Sequence, residues 1–248
     1  MTFLLPTISP SAVRDYNLCP RRYALSFCGL EKPFYDALHV GNALHSVAAF
    51  ALASFKQDGE LPTRVRLDQE LERALNHSEQ PIPAGSLERM RGDAQYKLER
   101  LLEVLTGIVA RFRLCGVEQW VKVLTRDELG EVVLRGRLDI LLYDEERNAF
   151  VIYDLKTSGY NAEYVDFGPL ALCVTQVQND YPEHSVLAYA VYLEGTERFV
   201  PYLPDSLEQD LLPLVQTARA AYADQVFSPN RGVHCAGCPF LEHCQTMD

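Results

Sequence analysis

Asp139, Asp154 and Lys156 are the side chains of this sequence whose types and spacing suit metal-assisted hydrolysis. They stand in "GRLDILL" and "VIYDLKT", two apolar, β-branched stretches that read as neighbouring strands. Positions i and i+2 of a strand point to one face, so Asp154 and Lys156 face together. If the strands are adjacent, Asp139 reaches the same place. Two carboxylates and an ammonium on one sheet face suit a hard divalent cation, Mg2+ or Mn2+, which takes oxygen ligands. Such an ion acidifies water and neutralises charge developing on a phosphate, while the lysine orients the water or stabilises an oxyanion. A surface ion pair at a strand end is the competing reading, and D-x-K taken alone favours it. In "GNALH", Gly41 and His45 lie one helical turn apart. Gly41 lets a helix approach the sheet closely, and His45 offers an imidazole to the same metal. Alone, His45 is as well read as a capped or half-buried helix histidine.

A second cluster stands near the other end of the chain. "HCAGCPFLEHC" places Cys235, Cys238 and Cys244 in a C-x2-C-x5-C run, with His234 and His243 beside them. A tetrahedral site needs four ligands, and Cys19 in "NLCPRRY" is the candidate fourth, which would tie the two chain ends together. Spacing alone leaves zinc and iron–sulfur equally open, since His234 or His243 could replace one thiolate. Cys28, Cys115 and Cys173 stand singly in apolar surroundings and are expected to be ordinary buried thiols.

These residues need elements to position them. The stretch "SPSAVRDYNLCPRRYALSF" opens on Ser9 or Ser11 as an N-cap and has helical spacing, with Cys19 early in that helix. Residues 36–58 and 86–114 read as strong helices. The pattern then changes to alternation over 117–143, a hairpin turning at "TRDELG", followed by the strand "AFVIYDLKT". A long connector, 157–181, leads to "HSVLAYAVYLEG", read as a helix, then "RFVPYL" as a strand and 205–226 as a last helix. The expectation is α/β: one domain with a helical region at 1–116, a catalytic core at 117–204, and a helix with the cysteine cluster at 205–248.

Composition narrows the classes. The chain has 248 residues, 48% of them hydrophobic, and a net charge of −11. That sum hides an asymmetry: residues 1–116 carry 14 basic against 13 acidic side chains, residues 117–248 carry 9 against 21. Contacts with phosphates would therefore rest on local arginines, mostly from the first half. No apolar run approaches a membrane span, and "MTFLLPTISPS" lacks a basic region before its apolar patch. A cytoplasmic, reducing location is expected, where clustered cysteines point to metal before disulfides. No G-x-x-x-x-G-K-[ST] occurs, so an ATP-driven motor would have to be a partner.

The order of "SPSAVRDYNLCPRRY", "GNALH", "GRLD", "DLK" and "CAGCPFLEHC" resembles the RecB-like branch of the PD-(D/E)XK nucleases. Within it, the chain is similar to members with an iron–sulfur cluster, including CRISPR-associated exonucleases and AddB-type nuclease domains. The resemblance runs from about residue 9 to 244; no single motif is specific, but the order is. It implies a restriction-endonuclease-like mixed sheet flanked by helices, with a cysteine-cluster appendage. It implies His45, Asp139, Asp154 and the Leu155 carbonyl as metal ligands, Lys156 as the catalytic lysine, and Cys19, Cys235, Cys238 and Cys244 as ligands of a [4Fe–4S] cluster. It also implies a Gln-x-x-x-Tyr motif on the helix after the catalytic strand. Here "SVLAY" supplies Tyr189 but has Ser185 in place of Gln, with Gln176 or Gln178 as substitutes. The expected activity is cleavage of DNA, preferably at single-stranded ends, with Arg21 and Arg22 on the phosphates. The alternatives are a subunit active only beside a helicase or integrase, and a binding module that has lost its chemistry.

Overall fold

A computed structural model describes residues 6–30, 33–78, 80–162, 166–196, 199–203 and 207–245. The chain divides into two compact units that alternate along the sequence. The first comprises Met1–Pro33, Val121–Gly136 and Pro204–Asp248; the second comprises Phe34–Trp120 and Arg137–Leu203.

In the first unit, β1 (Thr7–Ile8) runs parallel to β3 (Gly130–Asp144), pairing Thr7 with Val133 and Ile8 with Leu134. Helix α1 (Pro10–Leu18) starts where Ser9 accepts the Ala12 N–H at 3.3 Å and Pro10 supplies a fixed φ. It stops at Cys19, which is extended (φ −164°, ψ 112°), and Pro20 opens α2 (Pro20–Leu25). Cys19 thus lies between two helices, not inside the first as expected. The residue before a proline is driven out of the helical region by the proline ring. Tyr16 donates to Asp224 and Thr217 donates to Asn17, tying α1 to α7 (Leu207–Ala223) and the turn after it. Leu211, Leu214, Val215, Ala218 and Ala221 are buried along one stripe of α7.

The second unit is built on three helices. Helix α3 (Asp36–Asp58) buries Val40, Leu44, Val47, Ala51 and Leu52; α4 (Arg64–Asn76) buries Leu67, Leu71 and Leu75; α5 (Ser86–Arg111) buries Leu98, Leu101 and Leu105. These meet Ile140, Leu142, Val151, Tyr153, Leu155 and Val191 from the sheet in one core. Each fully buried leucine contributes roughly 1.5–3 kcal/mol of transfer free energy, and this core holds the sheet rigid. Helix α4 was not anticipated, although leucine at every fourth position marks it. Helix α5 ends at Arg111, and the last residues of the expected 86–114 helix open β2 (Arg113–Asp127). By length and composition α3 is apolar enough to cross a membrane. Its apolar stripe is instead the centre of this core.

Strand β3 pairs antiparallel with β4 (Ala149–Gly159) from Asp144↔Ala149 to Ile140↔Tyr153. Ala149–Tyr153 are buried at every position, the mark of a strand covered on both faces. β4 runs parallel to β5 (Ser185–Glu194), and β5 pairs antiparallel with β6 (Phe199–Tyr202), giving a mixed sheet flanked by helices. Within the stretch 184–195, expected to be helical, Ser185–Glu194 therefore form strand β5. Its run of Leu, Ala, Val and Tyr fits either period, and pairing with β4 decides it. A parallel pair needs a crossover, and the connector provides it as helix α6 (Gly168–Asp180).

Candidate active site

Gly41 sets the position of α3. A Cβ there would stand 3.1 Å from Thr157 Oγ1 on β4, so only glycine lets the helix lie this close without displacing its neighbour. One turn on, His45 Nδ1 faces Glu118 Oε1 at 3.2 Å and Asp139 Oδ1 at 3.7 Å. A carboxylate only accepts, so the first contact places a proton on Nδ1. The ligand atoms of His45, Glu118 and Asp139 lie within 4.8 Å of one another. On the sheet, the β3–β4 pairing reaches Ile140↔Tyr153, and beyond it Asp139 Oδ2 takes the Leu155 N–H at 2.8 Å. A side chain replaces the ladder at the point where Asp139 and Asp154 must come forward. Lys156 Nζ stands 2.6 Å from Asp154 Oδ2.

Electrostatics follow from burial. Loss of water pushes the Asp139 carboxyl up to about 6; His45 opposes the rise and the charge on Asp154 adds to it. Burial works against charge on His45 and Lys156, yet both are held above their ordinary values. Glu118 and Asp139 hold the imidazolium, and Asp154 holds the ammonium. Three carboxylates here face the His45 imidazolium, the Lys156 ammonium and the Arg137 guanidinium.

This arrangement suits Mg2+ or Mn2+. Glu118 Oε2 and Asp154 Oδ2 are buried and ion-paired, with Arg137 Nε and Lys156 Nζ each at 2.6 Å, which leaves Glu118 Oε1 and Asp139 Oδ1 turned toward His45. Several carboxylate oxygens and one imidazole within reach of a single point are the donor set a hard cation takes. His45, Glu118, Asp139 and Asp154 are the residues that would hold it.

Glu118 was not singled out from the sequence. It lies on β2 at φ 50°, a left-handed conformation rare outside glycine and concentrated at functional sites. Within "VEQWVKVL" its only signal is an acidic residue in an alternating strand. Tyr189 lies elsewhere: it pairs with Tyr153 in register, and its ring packs edge-on against Tyr153 at 5.8 Å. Neighbours along a strand alternate faces, so Tyr189 is on the face opposite Ala190, the residue paired with Asp154. There it lines a pocket with Arg111, Arg147 and Leu187. The tyrosine in register with Lys156 is Tyr192, and burial raises its hydroxyl pKa first of all. Ser185 is the first residue of β5, and Gln176 donates to Asp180 on α6. Cys173, also on α6, is buried as expected, and burial and the two aspartates push its thiol well up. Cys28 is exposed and Cys115 only half-buried, contrary to expectation.

In the first unit, Cys19, Cys235, Cys238 and Cys244 all line one cavity of about 230 Å³, together with Arg22, Leu25 and His234. Cys235 sits in a short 3-10 turn (Val233–Gly237) and Cys244 in α8 (Leu241–Gln245). The Asn230 N–H points to Cys19 Sγ and the Gly232 N–H to Cys235 Sγ, each at 3.4 Å. Four thiols around one cavity, two of them receiving backbone N–H groups, are a donor set that fits a soft metal or cluster. Arg21 donates to the Phe227 carbonyl, and Arg22 pairs with Asp15 at 3.1 Å.

No curated protein matches the chain. The crystal structure of a candidate exonuclease from Eubacterium rectale aligns over 96% of this chain and 88% of its own, with TM-score 0.51 and 15% identity. That of the protein SSO0001 aligns over 99% and 89%, with TM-score 0.39 and 14% identity. The model of the PD-(D/E)XK nuclease superfamily matches residues 7–245, nearly the whole chain, and the protein belongs to that superfamily.

Proposed function

We propose that this chain is a divalent-metal-dependent deoxyribonuclease of the RecB-like branch, acting as an exonuclease on single-stranded ends. The observation that carries the reading is the convergence of His45, Glu118 and Asp139 within 4.8 Å, beside the Asp154–Lys156 pair. Held by these carboxylates, Mg2+ or Mn2+ supplies the positive charge that acidifies water and neutralises a phosphate. Lys156, kept protonated by Asp154, places a second positive charge where the phosphodiester oxyanion develops. Asp139 is fixed by the Leu155 N–H, so it does not have to reorganise during the reaction, and His45 would give up its Nδ1 proton on binding the cation.

The four thiols are assigned to a structural [4Fe–4S] cluster. A tetrahedral zinc at ~2.3 Å from each sulfur draws the sulfurs to about 3.8 Å of one another. Among the described residues, no three cysteine or histidine ligand atoms around this cavity come within 4.8 Å. The order of Cys19 and the C-x2-C-x5-C run within the RecB-like pattern favours a cluster over a single ion. Anaerobic purification with iron and zinc analysis, followed by cleavage assays with Mn2+ on labelled single and double strands, tests both assignments. About four irons per chain and degradation from single-stranded ends are expected. Stoichiometric zinc overturns the cluster, and an inert protein with its metals in place overturns the stand-alone nuclease. Activity gained on adding a helicase or integrase would identify a subunit instead.

A further inference from the structure

The chain has a single tryptophan, and it is 79% exposed. A lone exposed apolar residue needs no explanation on most surfaces. Trp120 differs by its place: it follows Glu118 by two residues on β2, so its Cα lies no more than about 7 Å from that of Glu118, whose carboxylate faces His45. A second group stands there. The Arg137 side chain, 47% exposed, lies 2.6 Å from Glu118 Oε2 and two residues before Asp139 on β3. Glu118 thus holds a half-exposed guanidinium beside the candidate metal carboxylates, and two residues further along its strand an indole is exposed.

We propose that Trp120 and Arg137 form a subsite for an unpaired nucleotide next to the scissile phosphate: the indole stacks on a base and the guanidinium takes a backbone phosphate. This rests on the nuclease reading above and deepens it. In a duplex the base faces are already covered by their neighbours, whereas an unpaired base offers its π-face, so a stacking platform selects single strands without reading sequence. The charge fits as well. Around so many carboxylates a polyanion needs a local cation, and Arg137 provides it at the site's edge.

Because Trp120 is the only tryptophan, its fluorescence reports on this position directly. Titrating the full chain in EDTA with short single-stranded oligo(dT) should quench it, with no cleavage to confuse the signal. Measured by anisotropy, Trp120→Ala should weaken oligo(dT) binding roughly 5- to 100-fold, the range for one stacked base, and Trp120→Phe should recover most of the loss. Arg137→Gln should lower the slope of log affinity against log salt by about one contact. Mn2+ affinity and thermal unfolding of Trp120→Ala serve as controls for folding. Oligo(dT) bound with unchanged fluorescence, or equal losses on single and double strands in Trp120→Ala, overturns the subsite. Wild-type protein that quenches but never cleaves leaves the subsite standing and removes the nuclease. Cleavage with an unaltered single-strand preference in Trp120→Ala does the reverse.

Discussion

The carboxylate site and the thiol cavity are built in opposite ways. Asp139 and Asp154 come from two antiparallel strands joined by a short turn, and each is carried on a buried stretch of sheet. Mutual repulsion of these charges is borne by the leucine-rich core of α3, α4 and α5 beneath them. The thiols come from both ends of the chain and from short elements: an interhelical residue, a 3-10 turn and a helix of five residues. Few large buried side chains support them; among the neighbouring residues Phe240 and Leu25 are buried. A preformed site of hard oxygens is stable before its metal arrives, whereas a site of soft ligands on short elements is stabilised by what it binds. The two should therefore respond oppositely to metal removal.

The largest effect should come from Asp154→Ala, which removes a carboxylate from the site. Cleavage should fall to background and Mn2+ binding should weaken severalfold in calorimetry, while the iron content stays at the wild-type level. Iron lost together with activity would show that the sites are not independent. Next is Lys156→Ala. It should keep Mn2+ and nucleic-acid affinity but slow the chemical step by roughly 10²-fold or more in single-turnover assays, the scale for one electrostatic group.

Cys19→Ala probes the other side of the comparison. Iron should be lost, and the melting temperature should fall by about 5–10 °C, as expected when a few kcal/mol are removed from a chain of this size. A cluster-replete variant that melts like wild type would place the fourth ligand elsewhere. EDTA, by contrast, should abolish cleavage with little change in melting temperature.

The smallest expected effect is a pH dependence. The folded-state pKa of Asp139, about 6, lies above its ordinary value of 3.8. Between those values the folded protein keeps a proton that the unfolded chain has released. The stabilisation from neutral Asp139 is therefore complete below about pH 4 and is lost as pH rises through about 6. In EDTA, the melting temperature of Asp139→Asn relative to wild type should rise across that window. With Mg2+ the proton competes with the cation, so apparent Mg2+ affinity should fall as pH drops below about 6. A flat difference in EDTA would mean that Asp139 is already ionised at low pH.

Much of the site was legible because its signals are local. Strand alternation places Asp154 and Lys156 on one face, helical spacing places Gly41 one turn from His45, and C-x2-C-x5-C is written in consecutive residues. Strand β5 was misread because a short apolar run carries no decisive period, and only hydrogen bonds from β4 select the extended form. That error carried Tyr189 with it: a tyrosine assigned to a helix over the site is on a strand with its ring on the other face.

By itself the sequence determined which chemistry was available: two aspartates and a lysine in β-forming segments, a histidine one turn after a glycine, and four cysteines at the two ends. The tertiary structure alone decided which atoms meet. Glu118 enters the site because its backbone takes a left-handed turn that the alternating pattern of its strand hides. Trp120 and Arg137 gain meaning only when β2 and β3 bring Glu118 and Asp139 to the same imidazole. Residue types and periods are properties of the chain, but convergence is a property of long-range pairing, and no local preference encodes it.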